Sequence, residues 1–425
     1  MKRYETYKDS GIEWIGEIPE HWEVKRLKYI GDSIIGITYN PKDVVQEGGT
    51  LVLRSSNIQN GKLSLKDNVY INKDIPEKLE TKVGDILICS RNGSRRLIGK
   101  NITIDEKTEG ETFGAFMTVF RTEKYEFISK YFNSQVFSGQ SGLFLTSTIN
   151  QLTVNTLNNF YTALPPKEER VLIAKYLDKK INEIDELISQ KKKLLNLYIR
   201  EKEAIINKAV TKGINPNVKF KETEITRLGD IPEHWKVIKL KYISNIINGY
   251  SPEQCKPSNT GEIEYIKVDN INRDKFKVKP SSNFTYKEFT VSDEPTILFP
   301  KRGAAIALNK VGIICKPFSF DTNLMGLNIM NEKINIKYLA YLIKNFSLIS
   351  IADTSTIPQI NNKHINPLQI PYPPKKEQQE IVNHIEIQNK RINDKSSTTK
   401  KLIDLLIEYK RVLISDVVTG KIKVT

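Results

Sequence analysis

Gly16-Glu17-Ile18-Pro19-Glu20-His21-Trp22 is written a second time as Gly229-Asp230-Ile231-Pro232-Glu233-His234-Trp235, at an offset of 213 residues from His21 to His234. The same offset carries Leu27-Lys28-Tyr29-Ile30 onto Leu240-Lys241-Tyr242-Ile243, Gly36 onto Gly249, and Asn57-Ile58 onto Asn270-Ile271. Farther along it drifts to 208: Ser147-Thr148-Ile149 returns as Ser355-Thr356-Ile357, Gln151 as Gln359, and Pro165-Pro166-Lys167 as Pro373-Pro374-Lys375. Ala209-Val210-Thr211 is paralleled by Val417-Val418-Thr419, whereas residues 60–145 and 273–353 match poorly. A period this long is a duplicated domain rather than a solenoid. The two copies share their edges and differ in their centres.

Each copy has the same internal order. Its first part reads as short strands punctuated by Gly, Pro and Asn clusters: Thr50–Leu53, Asp85–Cys89 and Ala115–Phe120, then Glu264–Val268 and Thr296–Phe299. Short helices fit near 126–137 and 335–345. This is a mixed α/β (α+β) domain. Its last part is a long helix. Pro165-Pro166 and Pro373-Pro374 stop the preceding segment, and Glu168, Glu169 and Glu377 fall in the first turn, where the helix dipole favours anions.

In the first helix Ala174, Leu177, Ile181, Ile184, Ile188, Leu195, Tyr198, Ile205 and Ala209 keep a 4-3 spacing, interrupted by Lys191 and Lys202. Such a stripe, over about five heptads, is buried most simply by coiled-coil packing. The second helix repeats it with Val382, Ile385, Ile392, Ile403, Leu406, Leu413 and Val417, but Asn389, Ser396 and Thr399 weaken its centre. A helix that polar in the middle needs a partner, and two copies related by a pseudo-twofold would set the helices antiparallel. The expected organisation is a recognition domain at 1–165, helix 166–212, linker 213–228, a second recognition domain at 229–372 and helix 373–425.

The formal net charge of +15 calls for a polyanionic partner, nucleic acid or an anionic membrane surface, unless it reflects genomic lysine bias alone. No apolar run reaches the ~18 residues of a membrane span, so nucleic acid is favoured over membrane. Cys89, Cys255 and Cys315 are far apart and form no CxxC pair, which fits a reducing cytoplasm and neither a zinc site nor a disulfide scaffold. No catalytic constellation is visible. Gly93-Ser94-Arg95-Arg96-Leu97-Ile98-Gly99-Lys100-Asn101 has five residues between its glycines where a P-loop has four, and Asn101 stands where Ser or Thr would hold magnesium. The Pro-Pro pairs lack the flanking residues of an amino-methyltransferase motif, and His21, His234, His364 and His384 are too scattered for a metal site. His21 and His234 read better as packing for the turns that seat Trp22 and Trp235 than as paired phosphate contacts.

A DNA reader needs Lys and Arg for phosphates, and Arg, Asn, Gln or Ser at base edges. Three segments per copy have that character. In the first they are Arg54-Ser55-Ser56-Asn57; Arg91, Asn92, Ser94, Arg95 and Arg96 with Lys100; and Ser147, Thr148 and Gln151. In the second they are Lys267, Asp269 and Asn270; Lys301 and Arg302 with Lys310; and Ser355, Thr356 and Gln359. The competing reading of each is a solvated surface loop.

The Gly-(Glu/Asp)-Ile-Pro-Glu-His-Trp openings, the Pro-Pro-Lys-x-Glu helix starts at 165–169 and 373–377, and the closing Val-Thr-x-x-Ile at 210–214 and 418–422 span nearly the whole chain. Ordered and doubled in this way, the chain resembles the specificity subunits of type I restriction-modification systems. The resemblance implies two target-recognition domains on double-stranded DNA, each reading half of a bipartite site, and an antiparallel coiled coil that spaces them. It implies docking of two methyltransferase subunits and of restriction-translocase subunits, which would carry AdoMet, ATP and magnesium, while this chain carries no cofactor and no catalysis. The helix starts differ, with Lys376 and Gln378-Gln379 around Glu377 against Glu168-Glu169-Arg170. Two alternatives predict otherwise: a self-contained methyltransferase or nuclease would bind AdoMet or act alone, and a basic coiled-coil scaffold would bind DNA without sequence preference.

Overall fold

The structure, a computed structural model, describes residues 2–424 except 60, 145–149, 273–274 and 354–356, and only the backbone of 143–144. Two compact units divide the chain, one made of residues 1–192 with 400–425 and the other of 193–399.

In the first unit, β1 (Asp32–Ile35), β2 (Ile86–Cys89), β3 (Asn101–Thr103) and β4 (Met117–Arg121) form an antiparallel sheet in the order β3-β2-β4-β1. In the second unit, β5 (Ser244–Asn248), β6 (Thr296–Pro300), β7 (Gly312–Ile314) and β8 (Leu324–Ile329) repeat it as β7-β6-β8-β5. The central strands are apolar at consecutive positions because both faces are covered: every residue of Ile86–Cys89 and of Thr296–Pro300 is buried. A smaller sheet lies beside each. Thr50–Leu53 pairs in parallel with Thr112–Phe113, and Ile263–Ile266 in parallel with Ser319–Phe320. The helix expected near 126–137 is two helices, Tyr125–Phe132 and Gln135–Phe144, and the one near 335–345 spans Ile336–Asn345.

The matched edges of the repeat pair with one another. Glu23–Arg26 runs antiparallel to Tyr161–Leu164, and Lys236–Lys239 to Gln369–Tyr372. Each of these ladders hands the chain into a long helix, α1 (Lys167–Lys212) or α2 (Lys375–Val418). Both helices stop at a glycine in the left-handed region, Gly213 at φ 74° and Gly420 at φ 73°, where a side chain would be strained.

Two expected boundaries change. The stretch 213–228 is not a bare linker: Phe220–Lys221 pairs with Ile231–Pro232, and Leu228 is buried in the second unit's core. The second helix ends at Val418 rather than at the C-terminus, and the residues beyond it pack back on the start of the chain, with Tyr7 Oη donating to the Gly420 carbonyl at 3.0 Å and the Lys423 amide to that of Lys2 at 2.9 Å.

Within each unit, segments of α1 and α2 run antiparallel. In the first, Glu169 and Gly420 both lie against Trp22, while farther along Asp185 accepts from Lys410 at 2.5 Å. In the second, a Cβ on Gly213 would lie 3.4 Å from Glu377, while Lys202 donates to Asn393. The heptad stripe is the inward face. Leu177, Ile184, Ile188, Ile385, Ile392, Ile403 and Leu413 are buried, and Ile181, Leu195, Tyr198 and Leu406 half-buried. The polar centre is accommodated rather than expelled: Thr399 is buried, with its hydroxyl on the Lys395 carbonyl at 2.9 Å.

Candidate nucleic-acid interface

The site in the first unit begins with a crossing. After β1, Gly36 passes so close to the backbone of 113–114 that the Ile37 amide reaches the Phe113 carbonyl at 2.7 Å. The crossing delivers Tyr39 to the rim of a cleft also lined by Arg54, Ser56, Arg91, Asn92 and Phe116. Three segments distant in sequence meet there. The Arg91 backbone bridges to that of Gln151, and Asn92 Nδ2 donates to Ser55 Oγ at 3.2 Å.

The second unit repeats this scaffold. Gly249 makes the same approach, with the Tyr250 amide on the Phe320 carbonyl at 2.9 Å. Arg302 bridges to Gln359 as Arg91 does to Gln151. Ser147, Thr148, Ser355 and Thr356 lie outside the described residues.

The expected readers separate by what their side chains already hold. Asn57 is buried, donating to the Ser64 carbonyl at 3.0 Å and accepting the Arg54 amide at 2.9 Å, so it is a loop brace and not a base reader. Asn270 braces its loop in the same way while only half-buried: it accepts the Lys267 amide at 2.8 Å and donates to the Pro280 carbonyl. Lys100 and Lys310 tie the same turn in each copy, donating to the carbonyls of Ile58 at 2.7 Å and Val268 at 3.1 Å, and burial holds Lys100 below the ordinary lysine pKa. Lys301 donates to Asn248 at 2.8 Å and is likewise lowered, by burial first and then by the neighbouring Arg302. Arg54 is drawn onto Asp67 at 3.2 Å, and Arg95 onto the Gly142 carbonyl at 3.1 Å. Ser94 precedes the turn at Arg95–Leu97 and is exposed, as are Arg96, Asp269 and Arg302. Lys267 lies over the Tyr265 ring. Ser56 Oγ is buried without a hydrogen-bond partner.

Arg91 differs from the others. Its guanidinium lies 5.1 Å from the centre of the Phe116 ring, the residue is exposed, and among the described residues its side-chain donors hold no acceptor. Phe116 itself is 58% exposed at the cleft. Its sequence context places it inside a strand; the signal available was an aromatic directly after Gly114-Ala115, one residue before the strand Met117–Arg121 begins.

His21 and His234 each bond a carboxylate at the start of a long helix, as packing for the turns that seat Trp22 and Trp235. His21 Nε2 is 2.6 Å from Glu169, and His234 Nε2 is 2.8 Å from Glu377. Glu169 also accepts from the buried Trp22 Nε1 at 2.9 Å and from Tyr4 Oη at 2.8 Å, whereas Trp235 Nε1 is buried without a partner. Burial pulls the Glu169 carboxyl upward, but the bonds from His21, Tyr4 and Trp22 outweigh it and its pKa lies below the usual value. A depressed carboxylate stabilises the fold above its unfolded-state pKa, and that contribution is lost as pH falls through the folded-state value. Glu169→Gln is therefore expected to cost about 1–3 kcal/mol at neutral pH. The gap from the parent protein should close on acidification, as read by denaturant titrations across pH. Glu377→Gln, which leaves one described side-chain donor instead of three, should cost less.

Among the described residues no group of three or more His, Cys, Asp or Glu side chains could hold a metal ion. No helix among them is long and apolar enough to cross a membrane.

Compared with known proteins, the chain matches the type I restriction modification DNA specificity domain twice, over residues 19–197 and 232–404. The chain is 28% identical to a Methanocaldococcus jannaschii protein provisionally named the MjaX specificity subunit of a type I restriction enzyme, over 96% of each. It is 23% identical to the type I restriction enzyme EcoKI specificity subunit of Escherichia coli, over 87% of this chain and 82% of that protein. The fold is similar to that of a chain in a structure concerned with complex assembly and conformational transition of the type I R-M system (TM-score 0.74, 14% identity, 95% of this chain and 99% of that one). It is also similar to the HsdS subunit from Thermoanaerobacter tengcongensis (TM-score 0.56, 14% identity, 95% and 98%). The paired match covers most of the chain and falls on the two copies found from the repeated opening, so the chain belongs to the type I restriction modification DNA specificity domain family.

Proposed function

We propose that this chain is the non-catalytic, DNA-reading subunit of a type I restriction-modification complex, working in the cytoplasm, with each unit reading one half of a bipartite duplex site. The observation that carries this reading is a repeated scaffold with unlike side chains on it. The Arg91–Gln151 and Arg302–Gln359 bridges build the same platform twice, while the residue that follows each arginine differs, Asn92 in the first unit and Gly303 in the second. The long helices act as spacer, as one continuous antiparallel coiled coil, and as docking platform. Large apolar side chains stay exposed on them, Leu405 in the first unit and Leu197, Ile199 and Ile387 in the second, as suits contact with protein partners. Two methyltransferase subunits dock there, and restriction-translocase subunits join them. AdoMet, ATP and magnesium belong to those partners. Half-sites about one helical turn apart would face the same side of the duplex.

The test is Arg91→Ala. Loss of a bidentate contact to guanine costs about 1–3 kcal/mol of discrimination. It should relax the first half-site alone, read by competition among duplexes altered in one half at a time. An equal loss on every sequence, with a shallower salt dependence, would make Arg91 a phosphate contact. Arg95→Ala should have a smaller effect, because its guanidinium is already engaged on Gly142.

A further inference from the structure

The cleft of the first unit contains a pair that its counterpart lacks. The amides of Ser90 and Arg91 both donate to the Phe116 carbonyl at 3.0 Å, and the Lys301 amide donates to the Asn323 carbonyl at 2.9 Å, so Asn323 occupies the place of Phe116 in the second unit. Asn323 is polar and its side chain is tied to Asp321 at 2.6 Å. Arg302, in the place of Arg91, has no ring beneath it among the described residues. The first unit thus presents an exposed phenyl ring with a guanidinium laid over it, and the second presents a guanidinium alone.

We propose that Arg91 and Phe116 form one reading element that takes a guanine next to a thymine, Phe116 covering the thymine 5-methyl group; this rests on the DNA-reading role assigned above. An arginine bonds guanine through the O6 and N7 acceptors in the major groove, and the thymine methyl is the one apolar group that a base presents there. Attraction to the Phe116 ring holds the guanidinium beside it while its N–H donors keep no acceptor among the described residues, so part of the side-chain freedom is already lost before binding. The 5.1 Å between guanidinium and ring is comparable to one base step, about 3.4 Å of rise with the twist added. One element therefore spans two consecutive pairs. With 58% of its surface exposed, Phe116 keeps apolar area open to solvent beside Arg91. In the second unit the tethered amide of Asn323 offers no such face, so that half-site is read without a methyl contact at this position.

The experiment uses the full chain and a pool of randomised duplexes, from which bound sequences are selected. In the selected site each dT is then replaced by dU, which keeps pairing with adenine and removes only the methyl group. The dU at the thymine beside the guanine whose identity Arg91→Ala relaxes should weaken binding about fourfold, the size of one buried methyl group. Phe116→Ala should bind the dT and dU duplexes equally, Phe116→Leu should retain part of the preference, and no dU in the other half-site should respond to either variant. The proposal is overturned if no thymine of the first half-site is methyl-sensitive, or if the sensitivity survives in both variants. Should Phe116→Ala fail to fold, the scan on the parent chain and on Phe116→Leu decides alone. A pool that yields no preferred sequence would remove the DNA-reading assignment together with this one, whereas a preferred sequence indifferent to Phe116 would remove only this one.

Discussion

Ile184→Asp combined with Ile188→Asp should separate the long helices in the first unit and abolish assembly with methyltransferase subunits. Both isoleucines are 7% exposed on a helix whose flanking positions, from Asn182 and Glu183 to Glu186 and Leu187, face solvent. Asp185, next to Ile184, meets Lys410, which brings the α2 segment around that lysine alongside this stretch of α1. An unpaired carboxylate left at such a site costs about 3–5 kcal/mol, and two together approach the roughly 5–15 kcal/mol that holds a typical domain. The readouts are helical content, thermal unfolding, and co-elution with the methyltransferase subunits. Leu197→Asp supplies the contrast. That leucine is 55% exposed, so the fold should change by no more than about 0.5 kcal/mol while docking is lost. Normal assembly of the double variant would take the helix pair out of the account of docking.

Much of this architecture was legible because duplication makes a sequence comment on itself. The heptad stripe gave most of the inward face of α1 and α2, although Ile181, Leu195, Tyr198 and Leu406 are only half-buried and Ile173, Ile381 and Ile414 are buried outside it. The repeat also held a signal that residue chemistry alone obscured. Asn57 and Asn270 have the polarity of base readers, yet they match across copies whose targets should differ. The structure accounts for the match, because each amide braces its loop by accepting the backbone N–H three residues earlier. Lys100 and Lys310 are the same case: long cations suited to phosphates, used instead on carbonyls. A matched residue such as Arg91 or Arg302 can read only through surroundings that differ, and Phe116 against Asn323 is such a difference. Phe116 escaped because it sits in the apolar run 115–120, which has the composition of a strand. Only the crossing at Gly36, a tertiary event, leaves that side chain outside the core. The His21–Glu169 pair was invisible for a related reason: both motifs were evident, but no local pattern says that residues 148 apart will meet.

Gly36→Ala should disable the first half-site and leave the second intact. A Cβ at Gly36 would stand 2.2 Å from the Phe113 carbonyl oxygen and 2.3 Å from that of Gly114, and at Gly249 it would stand 1.9 Å from the Phe320 carbonyl oxygen. These neighbours are backbone atoms fixed by sheet hydrogen bonds, so no rotamer change relieves the contact and the crossing itself must open. Overpacking of this kind costs about 1–3 kcal/mol where side chains can yield, and backbone against backbone sits at or above the upper end. Opening the crossing breaks the Ile37–Phe113 bond and withdraws Tyr39 from the cleft that Arg91 and Phe116 share. Affinity should therefore fall for the half-site that Arg91→Ala relaxes. Preference at the other half-site should persist, because the second unit has its own sheet and its own core. Gly249→Ala should give the mirror result, and proteolysis should find new cleavage in the altered unit alone. If Gly36→Ala kept parental stability and parental discrimination, the strand would have room to shift, and the match between Gly36 and Gly249 would need a cause other than close approach. If it instead erased both half-site preferences at once, the two readers would not be independent, and a bipartite site read by separable halves would no longer describe this protein.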